Sequence, residues 1–317
     1  MRITFLGNFQ VPFSSETHHK ISLESLGHYV IPLQETQAGS EQIMREALQS
    51  DIFVWVHTHG WNTPGERSMA SVLNILRDKS IPTLTYHLDL WFGLNRQAEL
   101  EADDIYKHIQ HFFTVDKKMA DWFNENGNGV QGHYLPAGVL GQECFIDENI
   151  QKVNDVVFVG SRNYHPEWPY RPTLVNWLQQ TYGNRFIHVG GDGIGIVRGH
   201  ELIGLYNATK VAVGDSLCVD FIYPYYWSDR VYETMGRGGF LIMPYIKGLE
   251  DEFKLWGDDK ELVTYPFGDF ERLKEVIDHA LVNDKEREAI RIRGHNKVKN
   301  NYTYKHRWQT ILTEIGK

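Results

Sequence analysis

The sequence predicts an α/β protein built from two doubly wound, Rossmann-like domains facing one another across a cleft. Three observations carry this. Short β-rich runs alternate with longer amphipathic segments along the chain, the pattern of parallel strands joined by helical crossovers. Most strand runs are continuously apolar rather than alternating, as a sheet covered on both faces requires. At 317 residues the chain is long enough for two cores of ordinary size.

In the first half the predicted strands are 2–6, 28–32, 51–57, 83–87, 111–114 and 133–135, and the predicted helices are 15–26, 39–49, 64–78 and 117–124. The stretch 136–153 is weakly periodic, holds Gly138 and Gly141 and turns polar after Asp147, so the domain boundary is placed near Ile150. A second series follows, with strands at 155–159, 186–189, 211–213, 239–244 and 262–265 and helices at 173–182, 200–207, 229–235 and 270–283. The charged tail from 285 to 315 reads as helix. The expected division is 1–150, 151–300 and a closing helix at 301–317 that packs back toward the first domain. Ligands of such sheets bind just beyond the carboxyl ends of the strands, so each of those loops is a candidate site.

Composition narrows the function. The net charge of -9 weighs against broad binding to duplex nucleic acid, which draws its affinity from a basic surplus. No apolar run is long enough to span a bilayer, and the opening MRITFLGNF reads as a strand rather than a secretory signal; a cytoplasmic location is expected. Cys144 and Cys218 sit in apolar contexts and read as buried free thiols. The basic run 287–299 reads as a solvated helix face, with an acidic partner as the alternative.

The most informative stretch is YYWSDRVYETMGRGGFLIM, 225–243. Ser228 or Asp229 is a suitable N-cap for a short helix that leads through Gly236, Gly238 and Gly239 into a buried strand. Arg230 falls in the first turn, where its charge opposes the helix dipole unless an anion holds it. Glu233 lies one turn on, and a carboxylate there suits a ribose diol. An i,i+3 pair of Arg230 with Glu233 on a capped surface helix is the plainer reading.

The order Ser228-x-Arg230-x-x-Glu233, a glycine turn and an apolar strand ending at Pro244 resembles the CgeB-like (spore-maturation-type) glycosyltransferases of GT-B fold. The resemblance extends to GHELIGLYNATKVAVG (199–214), KGLEDEF (247–253), ERLKEVIDHAL (271–281) and NYTYKHRWQTIL (301–312), about half the chain. It implies transfer of a hexosyl or pentosyl group from a nucleotide-diphosphate sugar, expected to carry UDP, to an acceptor hydroxyl, with no cofactor and no metal. It assigns Ser228 and Arg230 to the donor diphosphate and Glu233 to the ribose. In FVGSRNYHPEWPYR (158–171) it implies a Gly160 turn followed by a phosphate clamp, Arg162 or Arg171. HVGGDGIG (188–195) is a poor dinucleotide fingerprint, since no long helix opens there; Gly191 is expected in a loop lining the nucleotide base.

The first half contributes WVHTHGW (55–61) and TYHLDLWFG (85–93) at strand ends. The second resembles the His- and Asp-bearing loop of the GT-B superfamily. For an inverting transfer Asp89 is the expected general base, with His19 second; for a retaining one the leaving phosphate takes the proton and His87 bonds the donor sugar. His57, His59 and Trp61 are expected on the acceptor side, and His57-x-His59 has no acidic partner at metal-ligand spacing. The resemblance implies a glycan or a modified nucleic-acid base, as in phage DNA, as the acceptor. A sugar-nucleotide epimerase, a sugar- or nucleotide-binding protein and an inactive scaffold are the rival classes.

Overall fold

The computed structural model describes residues 1–102, 104–163, 167–191, 193–216 and 223–317. The chain forms two compact units, Met1–Leu140 with Tyr304–Lys317, and Gly141–Thr303.

Unit 1 opens with β1 (Arg2–Gly7), α1 (Ser15–Ser25), β2 (Tyr29–Gln34), α2 (Ser40–Ala47), β3 (Ile52–Trp55) and α3 (Met69–Asp78). It continues with β4 (Thr83–His87), α4 (Gln97–Ala102), β5 (His111–Thr114), α5 (Lys117–Asn126) and β6 (Gln131–Tyr134). The six strands are parallel, in the order β2-β1-β3-β4-β5-β6. Pro32 is tolerated in β2 because that strand lies at the sheet edge. The helix expected from Pro64 starts later, at Met69: Ser68 is its N-cap, accepting from the Ser71 N–H at 3.2 Å, and Gly65 before it turns at φ +121°. Ser14 and Asp116 cap α1 and α5 in the same way.

Unit 2 contains β7 (Asn154–Val159), α6 (Tyr170–Tyr182), β8 (Phe186–Val189), α7 (Gly199–Asn207) and β9 (Thr209–Val213). After these come α8 (Arg230–Gly236), β10 (Leu241–Pro244), β11 (Val263–Tyr265), α9 (Phe270–Val282) and α10 (Asp284–Asn301). The last helix, α11 (Tyr304–Glu314), belongs to unit 1. Five parallel strands run β11-β10-β9-β7-β8. The sequence places a boundary near Ile150; the compact units divide at Leu140 because the segment after it is tied into unit 2. Glu143 pairs with Arg237, and the Asp147 N–H donates to Asn207 Oδ1 at 3.0 Å.

Each sheet reverses its strand order once, between β1 and β3 in unit 1 and between β7 and β9 in unit 2. In open α/β sheets such a switch point leaves a crevice beyond the strand ends, where ligands bind. The basic run in α10 is largely structural: Arg287, Arg291 and His295 are buried, and Arg291 Nη1 donates to Gly238 O at 3.0 Å. Among the described residues no helix is long and apolar enough to cross a membrane. Cys144 is buried, and burial pushes the pKa of its thiol up to about 12; Cys218 lies outside the described residues.

Candidate functional site

The switch point of unit 2 is built on Gly160, at the end of β7. Its φ of +150° is strained for any other residue, and a Cβ there would sit 3.4 Å from the Arg230 guanidinium. That guanidinium packs over the strand end, and its Nη1 donates to Val159 O. Ser228 Oγ accepts from the Arg230 N–H at 3.3 Å, whereas Asp229 offers no side-chain cap. α8 has only seven residues. The positive charge at this strand end therefore comes chiefly from side chains, not from the helix dipole.

Those side chains form an alternating series. Glu233 Oε1 lies 3.0 Å from Arg237 Nη1, and Arg237 in turn donates through Nε to Glu143 Oε2 at 2.9 Å. Arg237 is only 2% exposed, so its charge depends on both carboxylates. Burial works against ionisation of Glu233, but the Arg237 and Arg230 guanidiniums overcome it and hold its pKa down at about 2. Burial likewise opposes the charge on Arg230, and Asp229 and Glu233 more than restore it. Arg198, exposed just before α7, also favours the ionised form of Glu233. Arg198, Arg237 and Glu143 were not singled out by sequence.

Of the two expected phosphate clamps, Arg171 is committed elsewhere. It is buried, its Nε lies 3.0 Å from both oxygens of Asp215, and its Nη1 donates to Ser161 O at 3.3 Å. It holds the ends of β7 and β9 together across the switch point. Arg162 is half-buried and donates to Asn176 Oδ1 on α6. Gly190 lets the loop after β8 approach the one after β7, since a Cβ there would lie 2.3 Å from Gly160 O. Gly191 beside it is exposed, 3.8 Å from Ser161 Oγ when given a Cβ. His188 Nε2 pairs with Gly160 O at 2.8 Å.

In unit 1, His87 ends β4 and is 7% exposed, stacked on Phe112 and edge-on to Trp91. Burial lowers its pKa to about 4 against the opposing pull of Asp89, so its ring is neutral at pH 7. Asp89 is exposed on the loop beyond it. The acidic partner missing from the sequence around His57 comes from another strand end. Glu35, fully buried after β2, accepts from His57 Nδ1, from Trp55 Nε1 at 3.0 Å and from the Thr58 N–H at 2.9 Å. His59 pairs instead with Glu99, at 2.7 Å, and Trp61 is half-buried in the turn after it. His19 is not placed to act as a base. It is fully buried among Phe5, Tyr86, Tyr304 and Trp308, and its Nδ1 accepts from Trp308 Nε1 at 3.1 Å. Among the described residues no group of three or more His, Cys, Asp or Glu is placed to share a metal ion.

Two parallel-sheet units, one with cationic and carboxylate groups at its switch point, define an α/β protein of two doubly wound units. Residues 148–313 match the model of the family described as "Glycosyl transferase-like", and the chain belongs to that family. No curated protein matches the sequence. Solved structures share the fold at low identity. Sucrose-phosphate synthase from Thermosynechococcus elongatus is 12% identical, with a TM-score of 0.60 over 99% of both chains. HepE of Anabaena, solved with UDP and glucose, is 12% identical, with a TM-score of 0.65 over the whole of both chains. An alpha-glucosyltransferase solved with UDP-glucose and DNA containing an abasic site is 10% identical, with a TM-score of 0.69 over the whole of both.

Proposed function

We propose that this glycosyltransferase is of the CgeB-like kind and moves a hexosyl or pentosyl group from a UDP-sugar to an acceptor hydroxyl, without a metal or other cofactor. The observation that carries the reading is the series Arg230–Glu233–Arg237 at the β7/β9 switch point, with Gly160 making room for the Arg230 guanidinium. Arg230, with Ser228 beside it, holds the donor diphosphate, and Arg198 adds charge from the loop before α7. Arg162 is the remaining candidate for a second clamp, given that Arg171 already binds Asp215. Glu233, held ionised, accepts hydrogen bonds from the ribose diol, and the loop at Gly191 lines the base. The solved relatives bound to UDP and UDP-glucose support this choice of donor.

As the glycosidic bond to phosphate breaks, negative charge grows on the leaving diphosphate. Fixed guanidiniums aimed at it stabilise that charge without having to reorganise. In an inverting transfer the acceptor proton passes to Asp89, the exposed carboxylate beyond β4. In a retaining one the leaving phosphate takes the proton and neutral His87 hydrogen-bonds the donor sugar; in either case His57, His59 and Trp61 meet the acceptor. That acceptor is a glycan or a modified nucleic-acid base, and the neighbour solved on DNA keeps the second class in view.

Calorimetric titration of UDP-glucose tests the donor assignment. Arg230→Ala and Glu233→Ala each weaken binding about tenfold or more, equivalent to one charge-assisted hydrogen bond. Unchanged affinity in both variants refutes it. Transfer that persists in excess EDTA is expected; a requirement for added divalent ion refutes metal independence.

A further inference from the structure

Unit 2 holds a second opening that shares no residue with the proposed donor site. A cavity of about 480 Å³ lies beside the edge strand β11, walled by α9, α10 and the loop at 255–257. That volume falls in the range of small-ligand sites, roughly 300–1,000 Å³. Trp256 stands at its margin with 64% of its surface exposed, next to Gly257 in the left-handed region at φ +79°. The same indole lines a neighbouring cavity of about 430 Å³, so it stands between two openings. Tyr245, also exposed, lies 6.0 Å away ring to ring.

The wall of the larger cavity is rich in charge, but the charges are already matched. Lys260 Nζ is 2.9 Å from Glu286 Oε1, His279 Nε2 is 2.7 Å from Glu286 Oε2, and Arg272 Nη1 is 2.7 Å from Glu275 Oε2. Arg287 bonds Asp284 at 2.6 Å. An anion entering here meets Glu275 and Glu286 as readily as it meets the cations. An uncharged ligand with many hydroxyls fits better, because paired carboxylates and cations offer both acceptors and donors. A flat apolar indole face matches the C–H face of a sugar ring.

We infer that this opening binds an uncharged oligosaccharide, with one sugar ring on Trp256 and the chain running from one cavity into the other. The assignment goes beyond the proposed transfer reaction and does not depend on the donor site.

The test is calorimetric titration with maltohexaose, cellohexaose and xylohexaose, in the absence and presence of saturating UDP. At least one binds, UDP does not displace it, Trp256→Ala weakens it about tenfold, and Trp256→Phe keeps most of the affinity. In the same Trp256→Ala preparation UDP-glucose affinity is unchanged, which also shows that the variant is folded. Arg230→Ala, conversely, leaves saccharide binding intact. The proposal is overturned if none of the three probes binds, if Trp256→Ala binds as the parent does, or if UDP competes. None of these outcomes bears on whether Arg230 and Glu233 hold the donor.

Discussion

Acidification probes the packing of unit 1 in a way that His19 makes specific. The ring is fully buried and accepts from Trp308 Nε1, joining α1 to the C-terminal helix α11. Burial, with His18 nearby, lowers its pKa to about 3 from an ordinary value near 6.5. A histidine depressed in this way is neutral when folded and takes up a proton when unfolded. Its contribution is therefore fully present above about pH 6.5 and is lost as pH falls toward 3. Each pH unit inside that window costs about 1.4 kcal/mol, so moving from pH 7 to pH 5 removes about 2 kcal/mol through this one residue.

His19→Gln keeps an acceptor for the Trp308 indole but cannot titrate. The variant is less stable at pH 7, because a well-packed ring is gone, yet its further loss between pH 7 and pH 5 is smaller than the parent's by about 2 kcal/mol. Hydrogen exchange of the α1 and α11 amides reads the effect within unit 1, where a global unfolding curve of a two-unit chain would mix contributions. An equal pH dependence in parent and variant refutes the argument, since the difference isolates the one titrating group.

Other substitutions test the remaining structure. Glu143→Gln leaves the buried Arg237 with one carboxylate in place of two, and lowers the stability of unit 2 by about 2 kcal/mol in urea denaturation. Gly160→Ala places a methyl group against the Arg230 guanidinium in a strained conformation; UDP-glucose affinity falls about tenfold by calorimetry, while Ala at Gly191 changes it little. Asp89→Asn abolishes transfer with donor binding retained; full activity in that variant removes Asp89 as the base. Glu35→Gln weakens the acceptor held by His57 Nδ1 and raises KM for the acceptor without changing donor affinity, measured by initial-rate kinetics.

The strand positions were largely readable in the sequence because burial on both faces writes itself as apolar runs, whereas their order in each sheet was not. β4, β5 and β8 lie where those runs predict. α4 escaped notice because it is short, six residues behind an aromatic turn, and has no full apolar period. The site divides along a similar line. Gly160, Ser228, Arg230 and Glu233 are adjacent to turns and caps that leave a local signature. Glu143 meets Arg237 across 94 residues, and Glu35 meets His57 across 22, so only the folded sheet order brings these pairs together. Arg171 is the converse case, a residue whose partner the sequence did not reveal. An arginine near a glycine turn reads as a clamp, but Asp215, placed opposite by the β7–β9 pairing, takes its guanidinium.

The arginine in the first turn of α8 is explained by the order of charges behind it. Glu143, Arg237, Glu233 and Arg230 alternate in sign, and in such a series each inner charge is held by two opposite neighbours. Arg237, the most buried member, has a carboxylate on either side, which is what a buried guanidinium needs to stay folded in. Glu233 is likewise held between Arg237 and Arg230. Arg230 is the terminal member, and it ends not on a further side chain of the series but over Gly160, at the place where the strand order reverses. Removing Glu143 should therefore be felt at both ends: as lost stability, and as a Glu233 carboxylate pulled more strongly onto Arg237 and less available to a ribose. If Glu143→Gln destabilises unit 2 but leaves UDP-glucose affinity untouched, the series is a structural device only, and the donor site begins at Glu233.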